Sequence, residues 1–481
     1  MSVSTQAFKG ASWLAVFKFA GQFYSWTITI LVARILLPDE YGLYAMAFLI
    51  TGYAEMFSQL GLGSAIIQRA DINKREISSV FWFSLMVSTL FALACFPIAY
   101  LTSYIFDEPR IIALTQAISI LFILSGLQIV PLSLLKKELA FKRVGQFELT
   151  CVVIQGAGML AIAYLGGGVW ALIGGRIIFA FVMVILLYTR VRWMPMLHFS
   201  YQEAKSYIKF GIAVASGGSL FYVSENADRF FAGRSLGVTV LGYYSFAMQL
   251  AKIPTDKIVV LINQVSYPAF AKLQGEPEAF NKFYLDIVKV TATIVMPIFF
   301  GGFMLGGDLV MILLGEKWQA IIFIFEWLCL SQIITALNAY NNFVHDARGK
   351  PRYSLFFNFL SAITMAVAFY FAAQYGLEAM LVPWFTVYLL ISIFWIGFTL
   401  SQLKIDYISY LIQLFNPTVA AIIMSMSVFL LVELNQSYLG FKDFSISFFL
   451  IKMIAAVIVY AGYFWIFDRN VYYSIKKLRN A

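Results

Sequence analysis

Fourteen stretches of this chain are each long and apolar enough to cross a bilayer. They lie near residues 10–36, 42–67, 78–105, 111–134, 146–165, 169–190, 208–233, 242–265, 285–306, 319–342, 353–374, 378–400, 415–434 and 447–467. A helix needs about 20 mostly apolar residues to traverse the hydrocarbon core. Lipid offers the backbone no hydrogen-bond partners, so each stretch is expected to satisfy its own as a helix. Composition points the same way. The 481 residues are 61% hydrophobic and 12% charged, with a mean hydropathy of +0.81. Soluble domains carry about 25% charged residues. The expected fold class is therefore all-α integral membrane, with about 14 transmembrane helices.

No small-residue cleavage site follows the first long apolar stretch, so that span is expected to remain in place. Cys95, Cys151 and Cys329 lie inside apolar stretches without metal-ligand spacing and read as small buried apolar residues. No metal site is expected.

Loop charge predicts sidedness. Basic connections hold Arg69, Lys74 and Arg75; Lys136, Lys137, Lys142 and Arg143; Arg190, Arg192 and Lys205; Lys272 and Lys282; Arg348, Lys350 and Arg352; and Lys404. The tail adds Arg469, Lys476, Lys477 and Arg479. These alternate with short connections nearly free of cations, such as Pro38-Asp39-Glu40 and Gly166-Gly167-Gly168. The positive-inside rule puts the basic connections and both termini in the cytoplasm. The net charge of +9 then needs no nucleic acid, because a basic face on anionic lipid accounts for it.

The chain is also written twice. Arg34-Ile35-Leu36-Leu37-Pro38-Asp39-Glu40-Tyr41-Gly42-Leu43-Tyr44 aligns with Arg234-Ser235-Leu236-Gly237-Val238-Thr239-Val240-Leu241-Gly242-Tyr243-Tyr244 at an offset of 200 positions, which Lys9 and Lys209 share. Gly168-Val169-Trp170-Ala171-Leu172 matches Gly376-Leu377-Glu378-Ala379-Met380. Six spans per copy start both copies on the same side, so the repeat is expected to be parallel. The expected organisation is a six-helix bundle over 1–200, a second over 201–405, and two further helices with a basic tail over 406–481. The bundles are expected to surround a central cavity. Residues 199–209 are expected to run along the cytoplasmic interface as a linker.

An ionisable group at mid-bilayer costs at least a few kcal/mol unless it faces water or a partner. Lys18, Glu55, Arg176, Glu225, Asp228, Arg229, Lys252 and Glu326 fall inside predicted spans, and Arg34 and Arg234 close two of them. Most belong to the first two spans of each copy. Lys18, Arg34, Arg176, Arg229, Arg234 and Lys252 are candidates for holding an anionic ligand, since Arg pairs two phosphate oxygens at once and Lys acts as a point charge. Glu55, Glu225 and Asp228 are candidates for binding H⁺ or Na⁺, because buried acids titrate near neutral pH. Each charge also has a structural reading. Glu225 and Arg229, four apart, can neutralise each other, while Lys18, Arg34 and Arg234 can reach toward headgroups. His345-Asp346 reads as a solvated cytoplasmic connection. Gly61-Leu62-Gly63 lacks the residues of a nucleotide-binding loop, so no nucleotide or other cofactor is expected.

The run Ala33-Arg34-Ile35-Leu36-Leu37-Pro38-Asp39-Glu40-Tyr41-Gly42-Leu43-Tyr44-Ala45, followed by Leu60-Gly61-Leu62-Gly63-Ser64-Ala65-Ile66-Ile67-Gln68, resembles the opening of the polysaccharide transporter family. These are the Wzx-type lipid-linked oligosaccharide flippases of the multidrug/oligosaccharidyl-lipid/polysaccharide superfamily. Asn226-Ala227-Asp228-Arg229-Phe230-Phe231-Ala232-Gly233-Arg234, then Leu241-Gly242-Tyr243-Tyr244, is similar to the family's second-half motif. That motif usually reads Asp-Asn where this chain has Asp228-Arg229, so Arg229 adds a cation. The resemblance covers the first twelve spans. It implies movement of undecaprenyl-pyrophosphate-linked oligosaccharide units across the bacterial inner membrane by alternating access, for surface polysaccharide, exopolysaccharide or lipopolysaccharide biosynthesis. The implied partners are that lipid-linked glycan, membrane lipids and other polysaccharide-assembly proteins. Two other readings stand beside it. A cation-coupled multidrug exporter of the same superfamily should favour acidic cavity residues. A membrane-embedded glycan polymerase should carry a large charged outer loop, which this sequence lacks.

Overall fold

The computed structural model describes residues 3–59, 61–69, 73–191 and 193–468. Leu60, Arg192, Arg469, Lys476, Lys477 and Arg479 lie outside the described residues. The described residues form fifteen α-helices, joined by a few short 3₁₀ or π turns, and no strand. In chain order these are α1 (Val3–Ile35), α2 (Pro38–Gln59), α3 (Leu62–Gln68), α4 (Lys74–Phe106), α5 (Ile111–Lys137), α6 (Phe141–Tyr164), α7 (Trp170–Arg190) and α8 (Tyr201–Lys272). Then come α9 (Pro277–Leu313), α10 (Ile322–Ala347), α11 (Pro351–Ala372), α12 (Val382–Phe385), α13 (Val387–Leu403), α14 (Tyr407–Leu434) and α15 (Ile446–Phe467).

Among the described residues, ten helical segments are long and apolar enough to cross a membrane. They coincide with ten of the fourteen predicted stretches, and the protein is a multi-pass membrane protein. Helices cover the other four stretches too: α1 takes up 10–36, and the remaining three are broken in ways the stretches did not mark. The stretch 42–67 is two helices: α2 stops at Gln59, Gly61 takes a left-handed conformation (φ 56°), and α3 resumes. The stretches 208–233 and 242–265 both belong to α8, interrupted at Gly237 (φ 83°, ψ 179°). That backbone geometry is open to glycine and strained for other residues. One of the ten, 378–400, is broken as well: it begins as a 3₁₀ turn over Glu378–Leu381, runs on as α12 and restarts as α13 after Thr386. Pro383 opens α12, where its missing N–H is tolerated and its ring bars a regular helical bond back to Ala379; the break itself falls at Thr386, which leaves helical geometry (φ −115°, ψ −81°).

The chain divides into two compact units, Met1–Gly242 and Tyr243–Ala481. In the first, α4 packs on α5, α1 on α6, α6 on α7, and α5 also meets α2 and α7. Its basic connections gather at one end. Lys137 Nζ donates to the Arg69 carbonyl. The Arg69 guanidinium stands 4.1 Å over the Tyr207 ring and 3.4 Å from Glu76, which also accepts from the Tyr207 hydroxyl at 3.1 Å. The other end holds the connections poor in Lys. Arg110 pairs there with Glu108 at 2.8 Å and Asp39 at 3.3 Å, and the Glu40 carboxylate lies against Gly168. The two classes of loop therefore sit at opposite ends of this unit, as a bundle threading back and forth requires.

Two expectations need correction here. Residues 199–209 are not all linker. The extended connection ends at Ser200, and the first turns of α8 bury Ala204, Tyr207 and Ile208 with Leu62, Ile77, Val80 and Phe81. The linker before it is pinned by Trp82 Nε1 donating to the Met196 carbonyl at 2.7 Å, and by the Ser200 N–H donating to Ser79 Oγ at 3.0 Å. His345 is not in a solvated connection either. Helix α10 continues to Ala347, which places His345 fully buried on the face that meets α13. Its ring stacks on Trp395 at 4.7 Å and its Nε2 lies 3.1 Å from Thr399 Oγ1.

In the second unit α9 is the central helix, packing on α10, α14 and α15. Lys452 of α15 pairs with Asp308 of α9 at 2.5 Å, both nearly fully buried. Lys289 of α9 pairs with Asp468 at 2.7 Å, and the Tyr460 hydroxyl donates to the Thr293 carbonyl at 2.8 Å. Three polar ties thus hold the last helix along the length of α9. The three cysteines are buried free thiols.

Candidate functional site: a polar cavity in the first unit

Two helices supply the charged wall, and a third braces it. On α2, Tyr44 and Phe48 are one turn apart and Glu55 follows two turns later, so all three share a face. Arg176 comes from α7. Its guanidinium lies 4.3 Å over the Phe48 ring, 3.5 Å from the Tyr44 hydroxyl and 3.6 Å from Glu55 Oε2. From α8, the Tyr222 hydroxyl donates to the carbonyls of Phe48 and Leu49 at 3.1 and 3.0 Å. The charges of Arg229, Glu55 and Arg176 all act on that hydroxyl.

Arg176 and Glu55 open onto a cavity of about 470 Å³. Tyr44, Ser125, Gln128 and Gln155 complete its polar lining, with Leu121, Phe179 and Ala180 on the apolar side. The cavity explains why the Arg176 side chain keeps 41% of its surface accessible inside an apolar bundle. At 3.6 Å the Arg176–Glu55 contact is an ion pair and not a tight hydrogen bond. A charge held this loosely can exchange its partner for a ligand. Hydroxyl and amide groups around it suit water, a small ion or a hydroxyl-rich ligand.

A second cluster sits on α8. Asp228 is 3% exposed and its carboxylate accepts the Arg229 backbone N–H at 2.7 Å. The Arg229 guanidinium donates to Asn226 Oδ1 at 2.8 Å, and Asn226 in turn donates to the Tyr222 carbonyl at 2.9 Å. Tyr222 therefore links the two clusters along one helix. Glu225 is half-buried and engaged in interactions of its own. The other sequence candidates do not line this cavity. Lys18 is exposed on α1, Arg34 is exposed in the last turn of α1, and Arg234 is exposed on α8 just before its break. Lys252 belongs to the second unit, half-buried and partnered.

Sequence reasoning placed Arg176 with the anion ligands and Glu55 with the ion-coupling acids; the structure puts them on one cavity. It missed Tyr44, Ser125, Gln128, Gln155 and Tyr222. A signal existed, because Gln128 and Gln155 are amides inside predicted spans, and amides buried in lipid need partners as charges do. Gln128 finds one in the Ala180 carbonyl at 2.8 Å. Asp308, the partner of Lys452, was missed as well. Glu326 accepts the Gly307 backbone N–H at 3.0 Å, next to Asp308 in sequence.

Comparison with known proteins agrees with this architecture. Among curated relatives, the lipopolysaccharide biosynthesis protein WzxC of Escherichia coli (strain K12) is 25% identical over 341 residues, covering 70% of this chain and 69% of WzxC. The teichuronic acid biosynthesis protein TuaB of Bacillus subtilis (strain 168) is 24% identical, covering 85% of this chain and 84% of TuaB. The succinoglycan biosynthesis transport protein ExoT of Rhizobium meliloti (strain 1021) is 25% identical, covering 84% and 82%. Among solved structures, the lipid II flippase MurJ in an inward closed conformation superposes with a TM-score of 0.76 at 13% identity, over 95% of this chain and 99% of that one. An inward-facing multidrug resistance MATE family transporter of the MOP superfamily gives 0.63 at 15% identity, over 80% and 94%. The fold is thus shared with both kinds of transporter. Residues 31–323, more than half of the chain, match the family described as polysaccharide biosynthesis protein. This chain belongs to the polysaccharide biosynthesis protein family.

Proposed function

We propose that this protein is a flippase that carries polyprenyl-diphosphate-linked oligosaccharide units across the bacterial cytoplasmic membrane, with its basic ends and both termini in the cytoplasm. The observation that carries the reading is the loosely paired Arg176 and Glu55 on a polar cavity inside an otherwise apolar bundle. A diphosphate bearing sugars cannot enter hydrocarbon unaided, because its charges and hydroxyls would lose their hydration uncompensated. A guanidinium that can leave its carboxylate for a phosphate oxygen supplies that compensation, and amide and hydroxyl groups replace water around sugars. Family membership, and relatives named for polysaccharide biosynthesis and transport, support the same reading.

In this reading Lys18, Arg34, Arg229, Arg234 and Lys252 join Arg176 in attracting the diphosphate along its path. Glu55, Glu225 and Asp228 take H⁺ or Na⁺. Protonation of Glu55 would free Arg176 for the anion, so cation binding and substrate binding would be linked by a shared partner. A second reading, a cation-coupled drug exporter, follows from the shared MATE-type fold. Removal of the protein from its host decides between them. The flippase reading predicts lipid-linked glycan stranded on the inner face, with surface polysaccharide lost. Intact surface polysaccharide together with new sensitivity to organic cations would overturn it.

A further inference from the structure

A second cavity, of about 1210 Å³, opens at the basic end of the first unit, between the ends of α4, α5, α6 and α7. Its lining is mixed. Leu134, Leu135, Phe147 and Leu186 are its buried or half-buried apolar floor; Gln146, Thr150 and Thr189 are exposed polar groups; Lys74, Lys137, Arg143 and Arg190 are its cations. Among the described residues Glu138 is the one carboxylate in that lining. Lys137 is engaged with the Arg69 carbonyl. Among the described residues, Lys74, Arg143 and Arg190 make no ion pair.

Helix electrostatics do not account for these cations. Lys74 opens α4, whose first-turn carboxylate Glu76 is taken up by Arg69 and Tyr207, and Arg143 lies in the first turn of α6, which has no acidic residue there. A cation at a helix N-terminus opposes the positive end of the macrodipole. Two such cations beside Arg190 repel one another as well. An anion between them would relieve both costs, and the apolar floor suits an anion carried on a hydrocarbon chain.

The geometry points to a binding site for the phosphodiester headgroup of an anionic membrane phospholipid, with its phosphate among Lys74, Arg143 and Arg190 and its chains on the Leu134–Phe147 side. This site is separate from the Arg176 cavity and does not depend on the flippase reading. The lipid is recognised by charge and by its amphiphilic shape together, so the free ion alone is a poor ligand.

The test uses the purified full chain in detergent, titrated with phosphatidylglycerol, phosphatidylcholine of the same chains, or inorganic phosphate, with bound lipid counted by native mass spectrometry. The wild type should hold phosphatidylglycerol roughly tenfold or more tighter than phosphatidylcholine. Arg143→Gln with Arg190→Gln should erase that preference, and Arg143→Lys with Arg190→Lys should keep part of it. Both residues are exposed, and an unchanged melting temperature checks the fold. Lys350→Gln with Lys404→Gln, on basic connections of the second unit, should leave the preference intact. Equal phosphatidylglycerol affinity in the wild type and the Arg143/Arg190 Gln variant overturns the site. An equal loss in the Lys350/Lys404 variant overturns it in favour of diffuse charge. Displacement of the lipid by millimolar inorganic phosphate overturns the lipid as the ligand.

Discussion

Gly42 and Gly242, which hold equivalent places in the internal repeat, pack reciprocally: a Cβ on Gly42 would stand 1.8 Å from the Val238 carbonyl oxygen, and one on Gly242 would stand 1.8 Å from that of Pro38. Each repeat segment thus buries its glycine against the start of the other. Such exchange is what a local two-fold relation between two copies produces. The repeat read from the sequence is therefore also a contact in space, and the glycines are there because backbone meets backbone.

That contact predicts a cost for the smallest substitution. The obstructing atoms are carbonyls, which cannot swing aside as a side-chain tip can. Gly42→Ala or Gly242→Ala should destabilise the protein by about 1–3 kcal/mol, seen as a lower melting temperature in detergent. Gly462→Ala on α15, with open space around it, should be neutral or slightly stabilising, as Ala normally is in a helix.

The Asp308–Lys452 pair predicts a different pattern. Removing one partner leaves a buried charge unmatched, which costs about 3–5 kcal/mol. Asp308→Asn and Lys452→Met should each lower the melting temperature strongly. Asp308→Leu with Lys452→Met removes both charges and should recover most of the loss. A double variant as unstable as the sum of the singles would show that the two residues act independently.

Much of this fold was legible in the sequence because lipid imposes a simple rule: an apolar run of sufficient length becomes a helix. The breaks were less legible. Gly61 and Gly237 announced theirs in residue type, but where the chain re-forms a helix depends on neighbours. Pairing was the least legible. Lys452 and Asp308 are far apart in the chain, and no local spacing connects them. Arg176 and Glu55 were each recognised as expensive charges, yet that they share a cavity follows only from the packing of α2 and α7 around α5. His345 was misplaced because a helix end was set a turn too early, and one turn decides whether a side chain faces water or Trp395.

The Arg176–Glu55 pair should be coupled in function. Arg176→Gln removes the cation and should reduce substrate transfer roughly tenfold or more, as loss of a charge-assisted contact does. Glu55→Gln leaves Arg176 without its carboxylate and should bind the anionic substrate at least as tightly while losing dependence on the cation gradient. Transfer rates measured with and without an imposed pH or sodium gradient check both.

At the end of the first unit opposite the basic loops, the hydrogen bonds from Arg110 to the Glu108 carboxylate hold that carboxyl below its ordinary range. The stabilisation is complete above the ordinary carboxylate pKa and is lost as pH falls through the lowered value. Arg110 is about half exposed, so the contribution is at most about 1 kcal/mol. The melting temperature of the wild type should fall slightly more than that of Arg110→Gln as pH drops below 4.5, and the difference should shrink in high salt.

The central claim is movement of a lipid-linked glycan between leaflets, and its most direct measurement is reconstitution. The protein is placed in liposomes carrying a fluorescent polyprenyl-diphosphate sugar, and a membrane-impermeant quencher reports how much label lies in the outer leaflet over time. The account predicts protein-dependent transfer by the wild type, falling toward the protein-free rate in Arg176→Gln. Wild-type transfer no faster than in protein-free liposomes, with the protein folded and inserted, would contradict it.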